Sequence, residues 1–321
     1  MPRLALIALF LLVTAGPASA AEIVKMGDLP AISSAGLYVA MDKSFFAEKN
    51  ITVEAERFAS GAKMTPALAT GQIDVATGTP SAGLFNAMAS GQDFRIVADK
   101  GQARPGHSFN PLVVRKDLVD SGKVKRVRDL KGLKVANGAK GIILDYLLAR
   151  MLENDGLTYD SVEVVNLAYP DAVKALASKA VDAMIAPEPW GQRAEEQKVG
   201  VRLFLTEQVP DISTIQIAVV MYSGKFIKER PKVARDFLAA YVKGVRYYLE
   251  KGPKNDEIAR IISSHTGVPA DTIKAATPFY IDPEAKPRVQ DLATLQAWFQ
   301  KMGWVKEPVS MDRAVDLSFL Q

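Results

Sequence analysis

From about residue 22 onward, short apolar runs alternate with longer amphipathic stretches, and this rhythm limits the fold more than any other feature of the chain. Ile23-Val24-Lys25-Met26 is one such run, closed by Gly27 and a turn at Pro30. Residues 36–46 then place Leu37, Ala40, Met41 and Phe45 on one side of a helix. Residues 51–54 read as a strand, 64–70 as a helix stopped by Gly71, 73–76 as a strand, 81–89 as a helix and 95–98 as a strand. The same alternation resumes with strands at 133–136, 162–167 and 181–186, and helices at 141–152 and 171–178. Strands alternating with helices imply an α/β protein built on parallel sheets with crossover helices.

The rhythm breaks twice. Residues 101–111 hold two glycines and two prolines and read as a crossover between domains, and Val209-Pro210-Asp211 marks a second one. Beyond it the chain reads as mostly helical. Val233, Phe237, Tyr241, Val245 and Leu249 make one core-facing stripe, and Ala293, Trp298 and Phe299 mark another helix. An internal repeat links the two halves. Ala67-Leu68-Ala69 precedes Ile73-Asp74, and at an offset of 108 Ala175-Leu176-Ala177 precedes Val181-Asp182. Two similarly built α/β domains follow from it. Ligands bind outside the carboxyl ends of strands in open parallel sheets, so equivalent loops of two such domains would face each other across a cleft.

The chain has no cysteine and two histidines, His107 and His265. That excludes disulfides, thiolate metal centres, a catalytic cysteine and an HExxH zinc site. Lys+Arg is 40 against 36 for Asp+Glu, without a long basic run, so nucleic acid is not an expected partner. Residues 1–20 have the form of a secretory signal peptide. Arg3 supplies the positive start, 4–13 an apolar stretch too short to span a bilayer, and Ala18-Ser19-Ala20 a small-residue cleavage site. Loss of Arg3 lowers the net charge of +4 by one. No cysteine follows the cleavage point to carry a lipid, so an unanchored periplasmic protein is expected.

Residues 28–83, with the helix LYVAMDKSFF (37–46), the segment 60–75, DLKGLKVA (129–136) and the VDA…EPW stretch (181–190), resemble substrate-binding proteins of ABC transporters. The branch is the nitrate, sulfonate, taurine and thiamine-pyrimidine-precursor group (NMT1/THI5-like). The resemblance implies a two-lobed periplasmic-binding-protein-like fold of type II with two crossovers as hinge. Its lobes would be 22–108 with 215–321, and 109–214. It also implies a monomer that closes on a small ligand and delivers it to an inner-membrane ABC permease with its ATPase, with no cofactor and no bound metal.

Within such a cleft, loop backbones and helix starts favour anions. Ser60-Gly61, Thr79-Pro80-Ser81 and the loop carrying Lys140 and Gly141 open three helices and are candidate ligand contacts. Ser60 and Ser81 are also natural N-caps. Lys140 is the cation best placed by sequence to meet a carboxylate or sulfonate. Trp190 would offer a flat wall and an N–H donor, and Glu188 beside it would accept from a ligand or pair with Lys140. Leu29, Pro30, Asn110, Tyr169 and Gln216 complete the candidate set; His107 is a hinge or surface histidine. A small organic anion, whether sulfonate, carboxylate or aromatic acid, is the expected ligand. Pyrimidine-precursor binding, ligand sensing and a synthase-like enzyme are alternatives. No G-x-S-x-G nucleophile motif is present, and residues 1–20 leave no room for a DNA-binding domain.

Overall fold

The structure, a computed structural model, describes residues 20–58 and 61–321. The expected signal peptide lies almost wholly outside the described residues, as does Ser60. In chain order the strands are β1 (Glu22–Asp28), β2 (Ile51–Arg57), β3 (Val75–Gly78), β4 (Phe94–Ala103), β5 (Leu112–Arg115), β6 (Lys134–Asn137), β7 (Glu163–Asn166), β8 (Ala183–Ile185), β9 (Gly200–Phe204) and β10 (Ile215–Ser223). They form two five-stranded sheets, ordered β2-β1-β3-β10-β4 and β7-β6-β8-β5-β9.

The expectation of purely parallel sheets needs correction. β1 runs parallel to β2 and β3, and β6 parallel to β7 and β8. In the first sheet β10 opposes both β3 and β4, and in the second β5 opposes both β8 and β9. Both exceptions are strands that enter a sheet from a crossover. β5 leads out of the first crossover, and β10 returns after the second to slot between β3 and β4. The mostly helical reading of the last third missed β10. All nine of its residues are buried, which gives a strand covered on both faces its continuous apolar run, IQIAVVMYS.

The 108-residue repeat has a structural counterpart. Asp74 and Asp182 each stand just before the third strand of their sheet. Asp74 accepts from the Lys25 N–H on β1 at 2.9 Å, and Asp182 from the Lys134 N–H on β6 at 2.9 Å. Each carboxylate also meets an arginine, Arg230 at 2.5 Å and Arg115 at 2.9 Å. The same carboxylate therefore locks the same strand junction in both halves.

The helix Pro231–Lys251 buries Phe237, Tyr241 and Val245 completely. It lies so close to the helix Ala35–Asp42 that a Cβ at Gly244 would collide with the Gly36 carbonyl. The helix Val289–Lys301 reaches the second half through Trp298, which packs edge-on against Tyr146 and Tyr159. Among the described residues no helix is long and apolar enough to cross a membrane.

Candidate functional site

A cavity of about 410 Å³ opens at the carboxyl ends of the parallel strands of both sheets. From the first sheet come Leu29, Pro30 and Ser33 after β1, Phe58 after β2, and Gly78 and Thr79 at the end of β3. From the second come Gly138 and Ala139 after β6, Tyr169 and Pro170 after β7, and Pro187 and Trp190 after β8. The placement follows from topology: at a carboxyl end the chain leaves the hydrogen-bonded ladder, and its loops are free to shape a pocket. β4, β10 and the first crossover close the back through Lys100, Ile217, Ala218, Phe109 and Asn110.

Lys100 is the chemically decisive residue. It lines the cavity yet is only 1% exposed. Its ammonium donates to Ser33 Oγ at 3.1 Å. Among the described residues no carboxylate stands within ion-pair distance of it. Burial depresses its pKa from the usual 10.5 to about 8, and the charge of Asp28 opposes that shift. Asp28 is held ready for this role. It accepts from Ser34 Oγ at 2.9 Å, Thr77 Oγ1 at 3.1 Å and the Tyr38 hydroxyl at 2.5 Å. Lys100 thus retains donor capacity toward the cavity, and the interior supplies no direct counter-charge. An ammonium has three donors and suits an anion.

The rest of the wall is mainly apolar and aromatic: Leu29, Phe58, Phe109, Ile142, Leu144, Ile217, Tyr169 and Trp190. A Cβ at Gly138 would lie 2.6 Å from the Tyr169 hydroxyl, so the ring occupies the space a larger residue would take. Burial, then the charge of Asp145, pushes the Tyr169 pKa up and keeps the phenol protonated. Trp190 begins the helix Trp190–Glu196.

Of the residues singled out from sequence, Leu29, Pro30, Gly61, Thr79, Asn110, Tyr169 and Trp190 line the cavity. Pro80, Ser81, Lys140, Gly141, Glu188 and Gln216 fall outside its lining among the described residues. Each has other work. Ser81 caps the helix Ala82–Ala89 by accepting from the Leu84 N–H at 3.1 Å, and it bridges to Ile142 across the two halves. Pro80 is buried beside it. The Gly141 carbonyl accepts from the Ala82 N–H at 2.8 Å, and Gly141 takes φ +78°, where glycine is favoured. Lys140 is exposed, with its ammonium 5.3 Å from the centre of the Trp304 ring. Glu188, at 0% exposure, accepts from Arg202 at 2.7 Å and from the Gln192 N–H at 2.9 Å. Burial pushes its pKa up while Arg202 pulls it down. Gln216 donates to Asp99 Oδ1 at 2.7 Å. His107 packs against Tyr280, away from the cavity lining.

Sequence reasoning missed Lys100, together with Ser33, Phe58, Phe109, Ile217 and Thr266. For Lys100 a signal existed: Asp99 and Lys100 follow the apolar run Ile96-Val97-Ala98 within one strand, and a charge in a buried strand needs a reason.

The family described as NMT1-like matches residues 18–263, well over half of the sequence. The chain belongs to the NMT1-like family. No curated protein matches it significantly. Solved structures share its fold. The alkanesulfonate-binding protein SsuA from Xanthomonas axonopodis pv. citri, bound to MOPS, is 19% identical with a TM-score of 0.74, over 92% of this chain and 99% of that one. The periplasmic nitrate-binding protein NrtA from Synechocystis PCC 6803 is 17% identical with a TM-score of 0.74, over 93% and 87%. The desulfurization enzyme DSZB is 15% identical with a TM-score of 0.67, over 93% and 97%. This NMT1-like protein therefore has the fold of periplasmic ABC substrate-binding proteins, a fold that also carries an enzyme, so its activity has to be argued from the site.

Proposed function

We propose that this NMT1-like protein captures a small organic anion in the cavity between its sheets. The observation that carries the reading is Lys100: a buried lysine of the cavity lining whose ammonium has no carboxylate partner among the described residues. The aromatic and aliphatic walls suit an apolar body behind the charged group, as in an alkyl or aromatic sulfonate or carboxylate. Thr79, Gly61 and Trp190, foreseen from sequence, join Lys100 in that role.

In this reading 22–108 with 215–321 make one lobe and 109–214 the other, a division that the presence of two separate five-stranded sheets supports. A ligand touching both shifts the population toward a closed form, and the closed protein hands it unchanged to an inner-membrane permease with its ATPase. The protein acts as a monomer in the periplasm, reached through the signal peptide 1–20. The sulfonate- and nitrate-binding proteins of the same fold support the transport reading. The enzyme of that fold is the competing precedent. A thermal-shift screen over sulfonates, carboxylates, nitrate and pyrimidines tests the reading: organic anions should raise the melting temperature of the wild type. Stabilisation by neutral pyrimidines alone refutes it, and turnover of a bound anion refutes the transport role.

A further inference from the structure

Among the described residues the cavity lining carries one charged side chain, Lys100, and no aspartate or glutamate. Acids are nonetheless close in sequence. Asp28, Asp99, Asp145 and Glu188 stand next to the lining residues Leu29, Lys100, Leu144 and Pro187. None of the four is more than 4% exposed, and each spends its oxygens on the protein. Asp28 accepts from Ser34, Tyr38 and Thr77. Asp99 accepts from Gln216, Gln102 and the N–H groups of Gly101 and Asp282. Asp145 accepts from Asn137, Tyr159 and the N–H groups of Gly141 and Ile142. Glu188 accepts from Arg202 and the Gln192 N–H. A fifth acid, Asp171 beside Pro170, is exposed and pairs with Lys174. The uncharged polar side chains lean the same way. Trp190 only donates. Ser33 Oγ already accepts from Lys100, and its O–H has no acceptor among the described residues. The Asn110 amide oxygen is fully buried, which leaves its NH2 as the edge for the cavity.

We infer that the site selects by charge: it takes organic anions that carry no cationic group and rejects zwitterions such as amino acids and aminosulfonates. The inference rests on the anion reading above and narrows it. A zwitterion can set its anionic end on Lys100. Its ammonium then leaves water for a wall of Phe58, Phe109, Ile217 and Trp190, where no carboxylate meets it. A buried charge without a partner is far more costly than a lost apolar contact. An aromatic face returns only part of that cost. A neutral hydroxyl at the same place bears a much smaller penalty, because it can bond to hydroxyls such as those of Thr79 and Tyr169. Rejection should therefore follow charge and not polarity.

Isosteric probes test this with the full-length mature wild-type protein at pH 7. Calorimetric titration would compare butane-1-sulfonate with 3-aminopropane-1-sulfonate, pentanoate with 4-aminobutanoate, and 4-ethylbenzoate with 4-(aminomethyl)benzoate. In each pair an ammonium replaces a methyl group. 3-Hydroxypropane-1-sulfonate serves as the neutral polar control. In every pair whose methyl member binds, the ammonium member should bind on the order of a hundredfold more weakly. The hydroxyl control should fall well short of that loss. The comparison requires no variant to fold. A gap below about tenfold, or a hydroxyl control that loses as much as the ammonium probe, overturns the charge selection and leaves the anion reading standing. A wild type that binds no organic anion, or Lys100→Met binding the methyl members as well as wild type, refutes the anion reading itself.

Discussion

Replacing Lys100 with methionine separates two effects that usually move together. Methionine nearly matches the lysine stem in length but carries no charge, so the cavity keeps its shape. In the empty protein the buried ammonium is a burden. Its pKa falls from 10.5 to about 8, and at ~1.4 kcal/mol per unit the charged form costs roughly 3 kcal/mol near neutrality. The bond to Ser33 lost on substitution offsets about 1 kcal/mol of that. Ligand-free Lys100→Met should therefore be more stable than wild type by about 1–3 kcal/mol, a rise in Tm of several degrees. Its affinity for organic anions should fall by roughly a hundredfold, the loss of a charge-assisted contact worth about 3 kcal/mol.

The pH dependence gives the sign. The folded group titrates below the unfolded one, so between about pH 8 and pH 10.5 the unfolded chain holds more protons, and wild-type stability from this group rises with pH. The stability gap to Lys100→Met should close across that window, and wild-type anion affinity should decline above pH 8. Differential scanning calorimetry from pH 6 to 10, with titrations at each pH, measures both. A variant several kcal/mol less stable than wild type at pH 7, with anion affinity intact, refutes the reasoning.

Three further substitutions probe the frame around the site. Trp190→Ala removes an aromatic wall and should weaken the best-binding anion about tenfold without changing Tm by more than a few degrees; unchanged affinity in calorimetry places the ligand elsewhere. Glu188→Ala strips the half-buried Arg202 of one of its two carboxylate partners, leaving Glu195, and should destabilise the protein by about 1–2 kcal/mol in urea melts, where no measurable loss contradicts the ion-pair account. Asp99 accepts from Gly101 N–H, Gln216, Gln102 and Asp282 N–H, although burial pushes its pKa up to about 7. Asp99→Asn turns an N–H toward those donors and should cost about 2 kcal/mol or more by the same melts; a neutral effect would show that the donors are not oriented as described.

The architecture was largely legible from periodicity because each sheet's parallel strands alternate with their helices. The repeat around Ile73-Asp74 and Val181-Asp182 pointed to the same strand junction twice. β10 was harder to read. A strand buried on both faces has no alternation, and IQIAVVMYS is as apolar as a buried helix turn. Several cavity-lining residues were legible because they stand where strands end, as with Leu29, Thr79, Tyr169 and Trp190. The cation expected from sequence, Lys140, lies outside the cavity lining: it sits in the loop after β6, beside the bridge between Ser81 and Ile142, with its ammonium over Trp304. The charge of Lys100 within a strand was a local signal, but its place in the cavity lining depends on β10 returning after the second crossover to pair with β4, which local sequence does not encode.

The central claim is that an organic anion sits in the cavity with its charge on Lys100. A crystal structure of the wild-type protein with the tightest-binding anion from the screen tests it most directly. The account predicts the anionic group within about 3 Å of Lys100 Nζ, between the aromatic walls. An anion bound at the exposed Lys140, or anywhere outside the cavity, contradicts it.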